Sequence, residues 1–375
     1  MRRMSSVLLV VVLVSICVLV WLSLTLAGMK RQNKNGERPD LKVRVEDLKH
    51  TVVTTHLEQE IPTETNVLWC ITFQLAWNEL NDLTGGTVQM ESAPPIVSIL
   101  NKQATSKNDL DEDSYVAAAG LASEGIYDKI YMELALKFGG KTNPELFDSS
   151  PHMEVVTYAF LFKELPFLYA FTRFHENLRF GEYYVDSFGI KQLLNSQEDE
   201  VKMARQVAIL DFIDNEDFII ELKTRAKEDR LILAKVKPQK SLGDTVTMVE
   251  GRITKANPEE MRYDEDLFIP VLNFDIVKEY GELYGHPIRS SNEKVNGQKI
   301  MVAKQAVRFR LDETGAVLES ETLLAASATQ RNLVFDKPFL VFMKRGNAKA
   351  PYFALWVSNT ELLVPKTKRK IKDRI

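Results

Sequence analysis

His50, His56, His152, His175 and His286 are the chain's five histidines, and no two of them have the helical spacing that zinc hydrolases use. No G-x-S-x-G elbow occurs to present a serine nucleophile. Gly140-Lys141-Thr142 has the ending of a phosphate-binding loop, but the first glycine of that motif would fall at Ala135, inside a helical pattern. Asp109, Asp111 and Asp113 alternate as carboxylates do in calcium loops. Ser114 stands where the turn glycine is needed and Gly120 where the closing glutamate is needed, so the stretch reads as a solvated acidic loop. Cys70 has bulky apolar neighbours and reads as a core residue rather than a nucleophile. These residues give no catalytic centre, no metal site and no cofactor site, and the chain reads as a non-enzyme.

The remaining unusual stretch is DETGAVLESETLLAASATQRNLVFDKPFLVFM, from Asp312 to Met343. It is acidic at first, turns at Gly315, runs through small residues and ends in an apolar strand. A connection this long inside a folded domain is usually functional. What surrounds it has to define its use.

Apolar residues make up 45% of the 375 and charged residues 27%, which suits a globular protein with a large core. The net charge is −4, and without residues 1–28 the rest holds 46 basic against 52 acidic side chains. An acidic body of this kind argues against nucleic acid as a partner. Of the two cysteines, Cys17 lies in the N-terminal apolar run, so the body has no internal disulfide.

Residues 7–28, VLLVVVLVSICVLVWLSLTLAG, carry no charge and are long enough to cross a bilayer as one helix. They are expected to form a signal-anchor or transmembrane helix, with a cleaved signal as the alternative because Thr25-Leu26-Ala27 fits a cleavage site. Basic residues flank both sides of the run, so its orientation is open. Residues 29–63 read as a linker, 64–365 as the domain and 366–375 as a basic tail with six bases and one acid. Helical spacing predicts helices over 68–83 and 115–138. Strands are expected at 155–165, 207–213, 217–224, 229–238 and 299–313, and FLVFM (339–343) and PYFALWV (351–357) as an antiparallel pair. Helices early and strands late indicate an α+β fold.

From about residue 155 to 360 the order of segments resembles a serpin. YAFLFKELPFLYAF, RFGEYYVDSFGIKQL, QVAILDFIDNEDFIIEL, IPVLNFDIVKEYGEL, VAKQAVRFRLDETGA, FDKPFLVFM and APYFALWVSN follow one another as the corresponding serpin segments do. Pro166 departs from the tryptophan usual in the first of them and Tyr158 from the usual asparagine. The stretch between the helix expected at 68–83 and Tyr158 is about half the family's length, which implies shortened or missing helices. The resemblance implies a large mixed β-sheet with flanking helices and a C-terminal antiparallel strand pair. It also implies a reactive loop at 314–335 that baits a serine or cysteine protease as a suicide-type inhibitor. Its hinge would be Glu313, Gly315 and Ala316, and its scissile bond Thr329-Gln330, with Arg331-Asn332 as the alternative. An inserting loop needs alternate residues that can be buried. Ala316, Leu318, Ser320, Thr322, Leu324, Ala326 and Ala328 form an uncharged set. The expected partners are a target protease and, through the N-terminal helix, a membrane, with the domain extracytoplasmic. A non-inhibitory serpin-like binding or structural module of the cell envelope is the alternative, and an unrelated envelope sheet domain is a third class.

Overall fold

The runs FLVFM and PYFALWV lie at the centre of the molecule because central strands covered on both faces need side chains that are apolar throughout. A computed structural model of the chain describes residues 42–102, 105, 107–139, 155–163, 165–191, 198–262, 265–313, 331–346 and 348–366. In chain order the elements begin with β1 (Lys42–Arg44), β2 (Thr51–Thr54), β3 (Asn66–Cys70), α1 (Thr72–Thr84), β4 (Gln89–Met90), α2 (Pro95–Leu100), β5 (Tyr115–Leu121) and α3 (Ile126–Phe138). Next come β6 (Val155–Lys163), β7 (Thr172–Phe180), β8 (Tyr183–Ile190), α4 (Glu198–Ala204), β9 (Val207–Asp214), β10 (Asp217–Leu222), β11 (Asp229–Lys235) and α5 (Leu242–Lys255). The chain continues through β12 (Glu259–Glu260), β13 (Asp266–Pro270), β14 (Leu272–Glu279), β15 (Ile288–Arg289), β16 (Ile300–Leu311), β17 (Asn332–Val334), β18 (Phe339–Arg345) and β19 (Phe353–Val357).

An eight-stranded sheet runs β12-β9-β10-β11-β18-β19-β3-β2. Its middle is the expected antiparallel pair, with Leu340 opposite Trp356 and Met343 opposite Phe353. Phe339, Phe342, Phe353 and Trp356 are buried there. Helix α5 covers one face through Leu242, Val246 and Val249. Ser241 caps that helix, its Oγ accepting from the Asp244 amide at 3.1 Å. On the other side Phe309 of β16 stacks on Phe353 at 4.6 Å between ring centroids, joining this sheet to the five-stranded sheet β1-β14-β16-β6-β5. A four-stranded sheet, β17-β13-β8-β7, completes the α+β fold, beside the short pair β15-β4. Gly189 brings β8 close to β13. At φ +151° any Cβ there would lie 1.9 Å from the Leu267 carbonyl oxygen, so the contact requires glycine.

Three sequence expectations differ from the structure. The predicted helix over 115–138 divides into strand β5 and helix α3, which starts after Gly125 at φ +78°. The alanines of 117–119 favour a helix locally, but pairing with β6 along the whole of β5 outweighs that propensity. The predicted helix over 68–83 likewise begins as strand β3, bonded to β19 on one side and β2 on the other, and turns helical at Thr72. Residues 42–44 and 51–54, read as linker, are strands β1 and β2 of two sheets. Runs of three or four residues carry too little periodicity to be recognised alone. The expected span at 7–28 lies outside the described residues, and among the described residues no helix is long and apolar enough to cross a membrane.

Candidate functional site: the loop-bearing strand and its anchors

Strand β16 leads from the five-stranded sheet into the loop. Its alternation separates two faces, with Ala303, Gln305, Val307, Phe309 and Leu311 buried on one and Val302 and Ala306 packed toward α3 on the other. It lies between β14, antiparallel, and β6, parallel. The parallel ladder extends from Ile300 opposite Val155 to Phe309 opposite Lys163. A chain that leaves the end of β16 and turns back would run antiparallel to both β16 and β6. One parallel ladder would then become two antiparallel ones, the slightly more stable arrangement.

The seam between β6 and β16 has a buried polar centre. Gln305 Nε2 donates to the Cys70 carbonyl at 3.2 Å and to Thr72 Oγ1 at 3.0 Å, while its Oε1 accepts from the Tyr280 hydroxyl at 2.7 Å. This network ties β16 to the turn between β3 and α1. The Thr157 hydroxyl, on β6 opposite Ala303, is buried without a partner among the described residues. Gln305 sits among apolar residues on its face of the strand, and that position was a readable sign of a buried network. On the outer face Arg308 bonds Asp275 at 2.6 Å, with its guanidinium 5.7 Å from the Phe162 ring centre.

Ion pairs hold both ends of the loop. Before it, Glu313 Oε2 accepts from Arg173 Nη1 at 2.7 Å, and Arg173 Nη2 reaches Asp186 at 2.6 Å. Burial alone would lower the Arg173 pKa, but Glu313 and Asp186 outweigh it and hold it above the ordinary value. Asp312 pairs with Arg310. After the loop, Arg331 Nε donates to the fully buried Glu265 at 2.6 Å and Nη1 to Glu259 at 2.8 Å. Burial again works against the Arg331 charge and the two glutamates outweigh it. Asn332 opens β17, and its amide donates to Asn215 Oδ1 at 3.1 Å. The expected site residues Gly315, Ala316, Thr329 and Gln330 lie outside the described residues, whereas Glu313, Arg331 and Asn332 lie within them. Sequence reasoning missed Arg173, Asp186, Glu259 and Glu265, since the pairs with Glu313 and Arg331 join residues more than sixty positions apart and Arg173–Asp186 joins two different strands, so neither leaves a local pattern.

Cys70 is buried, and burial pushes its thiol up to about 11 against the opposing hydrogen bonds of Thr72. In the native chain near pH ~8, where an exposed thiol of pKa about 8.5 reacts readily, Cys70 is expected to resist alkylation and to react only in denaturant. Rapid labelling of its peptide in the folded protein, followed by mass spectrometry, would show an accessible thiol instead.

No protein-family model matches the chain. No curated protein matches it either. Solved structures do. Human thyroxine-binding globulin complexed with thyroxine is similar at 9% identity with a TM-score of 0.48, over 79% of this chain and 92% of the other. A serpin of the insect Tenebrio molitor is similar at 11% identity and a TM-score of 0.41, over 78% and 92% of the two chains. A serine protease inhibitor (serpin) of Manduca sexta is similar at 11% identity and a TM-score of 0.46, over 80% and 94%.

Proposed function

We propose that the chain is a divergent, membrane-anchored serpin-like protein whose loop at 314–335 baits a protease. The observation that carries this reading is the parallel pairing of β6 with β16 directly before the loop. A cut end turning back at Gly315 has a place between two strands that it would pair with antiparallel. The order of sequence segments from 155 to 360 agrees with it. Thr329-Gln330 is the proposed scissile bond. Arg331 has its guanidinium committed to Glu265 and Glu259, and it would have to release both to enter an acidic protease pocket. The protease would supply the chemistry, attacking the scissile carbonyl, and the inhibitor would trap the acyl-enzyme by inserting the strand.

The test incubates the protein with serine and cysteine proteases and looks for a covalent complex that survives denaturing electrophoresis, with the bond mapped by mass spectrometry. Simple cleavage at 329–330 without a complex would point to the second reading, a non-inhibitory binding module. Leu318 favours that second reading, since a bulky hinge residue slows insertion and lets hydrolysis finish. Anchoring is proposed from the uncharged run at 7–28. The full-length chain is expected to stay with membranes through high-salt washing. A soluble form beginning near Gly28 would replace the anchor with a cleaved signal.

A further inference from the structure

The turn between β6 and β7 holds two large apolar side chains outside the core, and it is tied down on both sides. Phe167 anchors it, buried against Phe171 at 4.8 Å between ring centroids and bridged to Thr224. Leu168 and Tyr169 follow, 42% and 49% exposed. The buried Gln206 fixes the Tyr169 backbone twice, its Nε2 donating to the Tyr169 carbonyl at 2.7 Å and its Oε1 accepting from the Tyr169 amide at 3.0 Å. Arg225 fixes the start of the turn. Its amide donates to the Pro166 carbonyl at 2.9 Å and its Nε to the Phe167 carbonyl at 3.1 Å.

The bonds that fix the turn also bring basic residues to it. Arg205 precedes Gln206 in the chain. Lys223 donates its amide to the Gln206 carbonyl at 2.8 Å and its Nζ to the Arg205 carbonyl at 3.1 Å. Arg225 and Lys227 follow just past β10, and all four bases are exposed. The acids nearby are Glu228 and Glu260, the latter 3.6 Å from Lys223. Glu198 and Asp199, at the far end of α4, are paired with Lys202. Among the described residues Arg205 and Lys227 have no ion-pair partner.

Single exposed apolar residues are ordinary. A rigidly held leucine and tyrosine with bases on both sides are a more specific combination. The tyrosine ring suits the headgroup zone, where one side is apolar and the other wet. Lysine and arginine stems can lie along apolar surface while their charges reach lipid phosphates. An acidic polypeptide would satisfy the bases but would leave Leu168 and Tyr169 without an apolar partner. We propose that the 166–169 turn, with Arg205, Lys223, Arg225 and Lys227, rests on anionic phospholipid headgroups. The place of the turn agrees with this. Lys42, Asp275, Arg308 and Phe162 lie opposite one another in a row across four strands, and Leu168 comes six residues after Phe162. The turn is therefore at the end of the sheet where β1 begins. The contact gives the anchored reading above a lipid-facing end, and its test keeps the two apart.

The test is hydrogen exchange of the full-length chain with phosphatidylcholine vesicles and with vesicles that also contain phosphatidylserine. Amides of 167–170 and 223–227 should slow only with phosphatidylserine, and high salt should abolish the effect. Arg205→Gln with Lys227→Gln should remove most of the slowing and leave Tm unchanged. Leu168→Ser with Tyr169→Ser should weaken it. Exchange that is identical on the two vesicle types overturns the proposal, as does slowing that survives both pairs of substitutions. Slowing by soluble polyglutamate, with none from phosphatidylserine, would assign the patch to an acidic polypeptide and overturns it too. The anchor is read separately, as flotation with pure phosphatidylcholine vesicles in high salt, which the patch variants should share with the wild type. If the chain does not float there, its affinity for phosphatidylserine vesicles is measured instead. Each charge removed at Arg205 and Lys227 should then weaken it about fivefold, the ratio equivalent to ~1 kcal/mol per charge. An affinity indifferent to those charges overturns the contact.

Discussion

Cutting the chain near Thr329 should raise its melting temperature. The new end can turn back at Gly315 and add a strand between β6 and β16, where the present ladder is parallel along most of β16. Burying Leu318 and Leu324 would contribute about 1.5–3 kcal/mol each. Each added backbone hydrogen bond contributes about 0.5–1.5 kcal/mol net. Against this stand the opening of the parallel ladder and the ordering of the strand, at about 1–2 kcal/mol per residue for the backbone. A net gain of ~5 kcal/mol would lift Tm by roughly 7 °C in a fold of this size. Ala316→Glu should abolish the rise, because it places an unpaired carboxylate on the face to be buried. Val317→Glu, on the opposite face, is the control and should keep it. Melts of intact and nicked protein decide the matter. If the nicked wild type melts no higher than the intact chain, 314–330 is an ordinary connection and the insertion mechanism fails.

Much of the frame that holds this loop was legible in the residues. KIMVAKQAVRFRLDE alternates over a stretch long enough to be recognised as a strand, and β16 forms there with Ala303, Gln305, Val307, Phe309 and Leu311 buried on one face. FLVFM and PYFALWV were recognisable because strands buried on both sides need unbroken apolar runs. What escaped recognition follows from two physical causes. Local propensity and tertiary pairing disagree at Ala117, Ala118 and Ala119, and the pairing with β6 prevails. Elements such as KVR at 42–44 are strands only because β14 lies alongside. The anchors were least legible of all. Arg173 reaches Glu313 across 140 positions, and nothing in TRFHENLRF marks one arginine as the partner of a distant hinge.

Replacing Arg173 should destabilise the intact chain by about 3 kcal/mol, the lower end of the cost of stripping one partner from a buried ion pair. The lower end applies because the arginine side chain keeps 19% exposure, against 9% for Asp186 and 14% for Glu313. Arg173→Ala removes from both carboxylates the guanidinium they share. Arg173→Lys should recover only part of the loss, since one ammonium cannot fork to both acids as a guanidinium does. Urea unfolding of Arg173→Ala, Glu313→Gln and the double variant gives the coupling between the two side chains. It should exceed about 0.5 kcal/mol, the scatter expected of independent sites. The same arginine ties the end of β16 to the four-stranded sheet, so its loss bears on the loop as well. In the nicked protein β16 would be held by ladders on both sides, and the end of the strand would depend less on Arg173. The rise in Tm on cutting should therefore be larger in Arg173→Ala than in the wild type. Equal rises would mean that the ion pair stabilises the hinge in both states alike, and a coupling near zero would mean that Arg173 does not hold Glu313 at all.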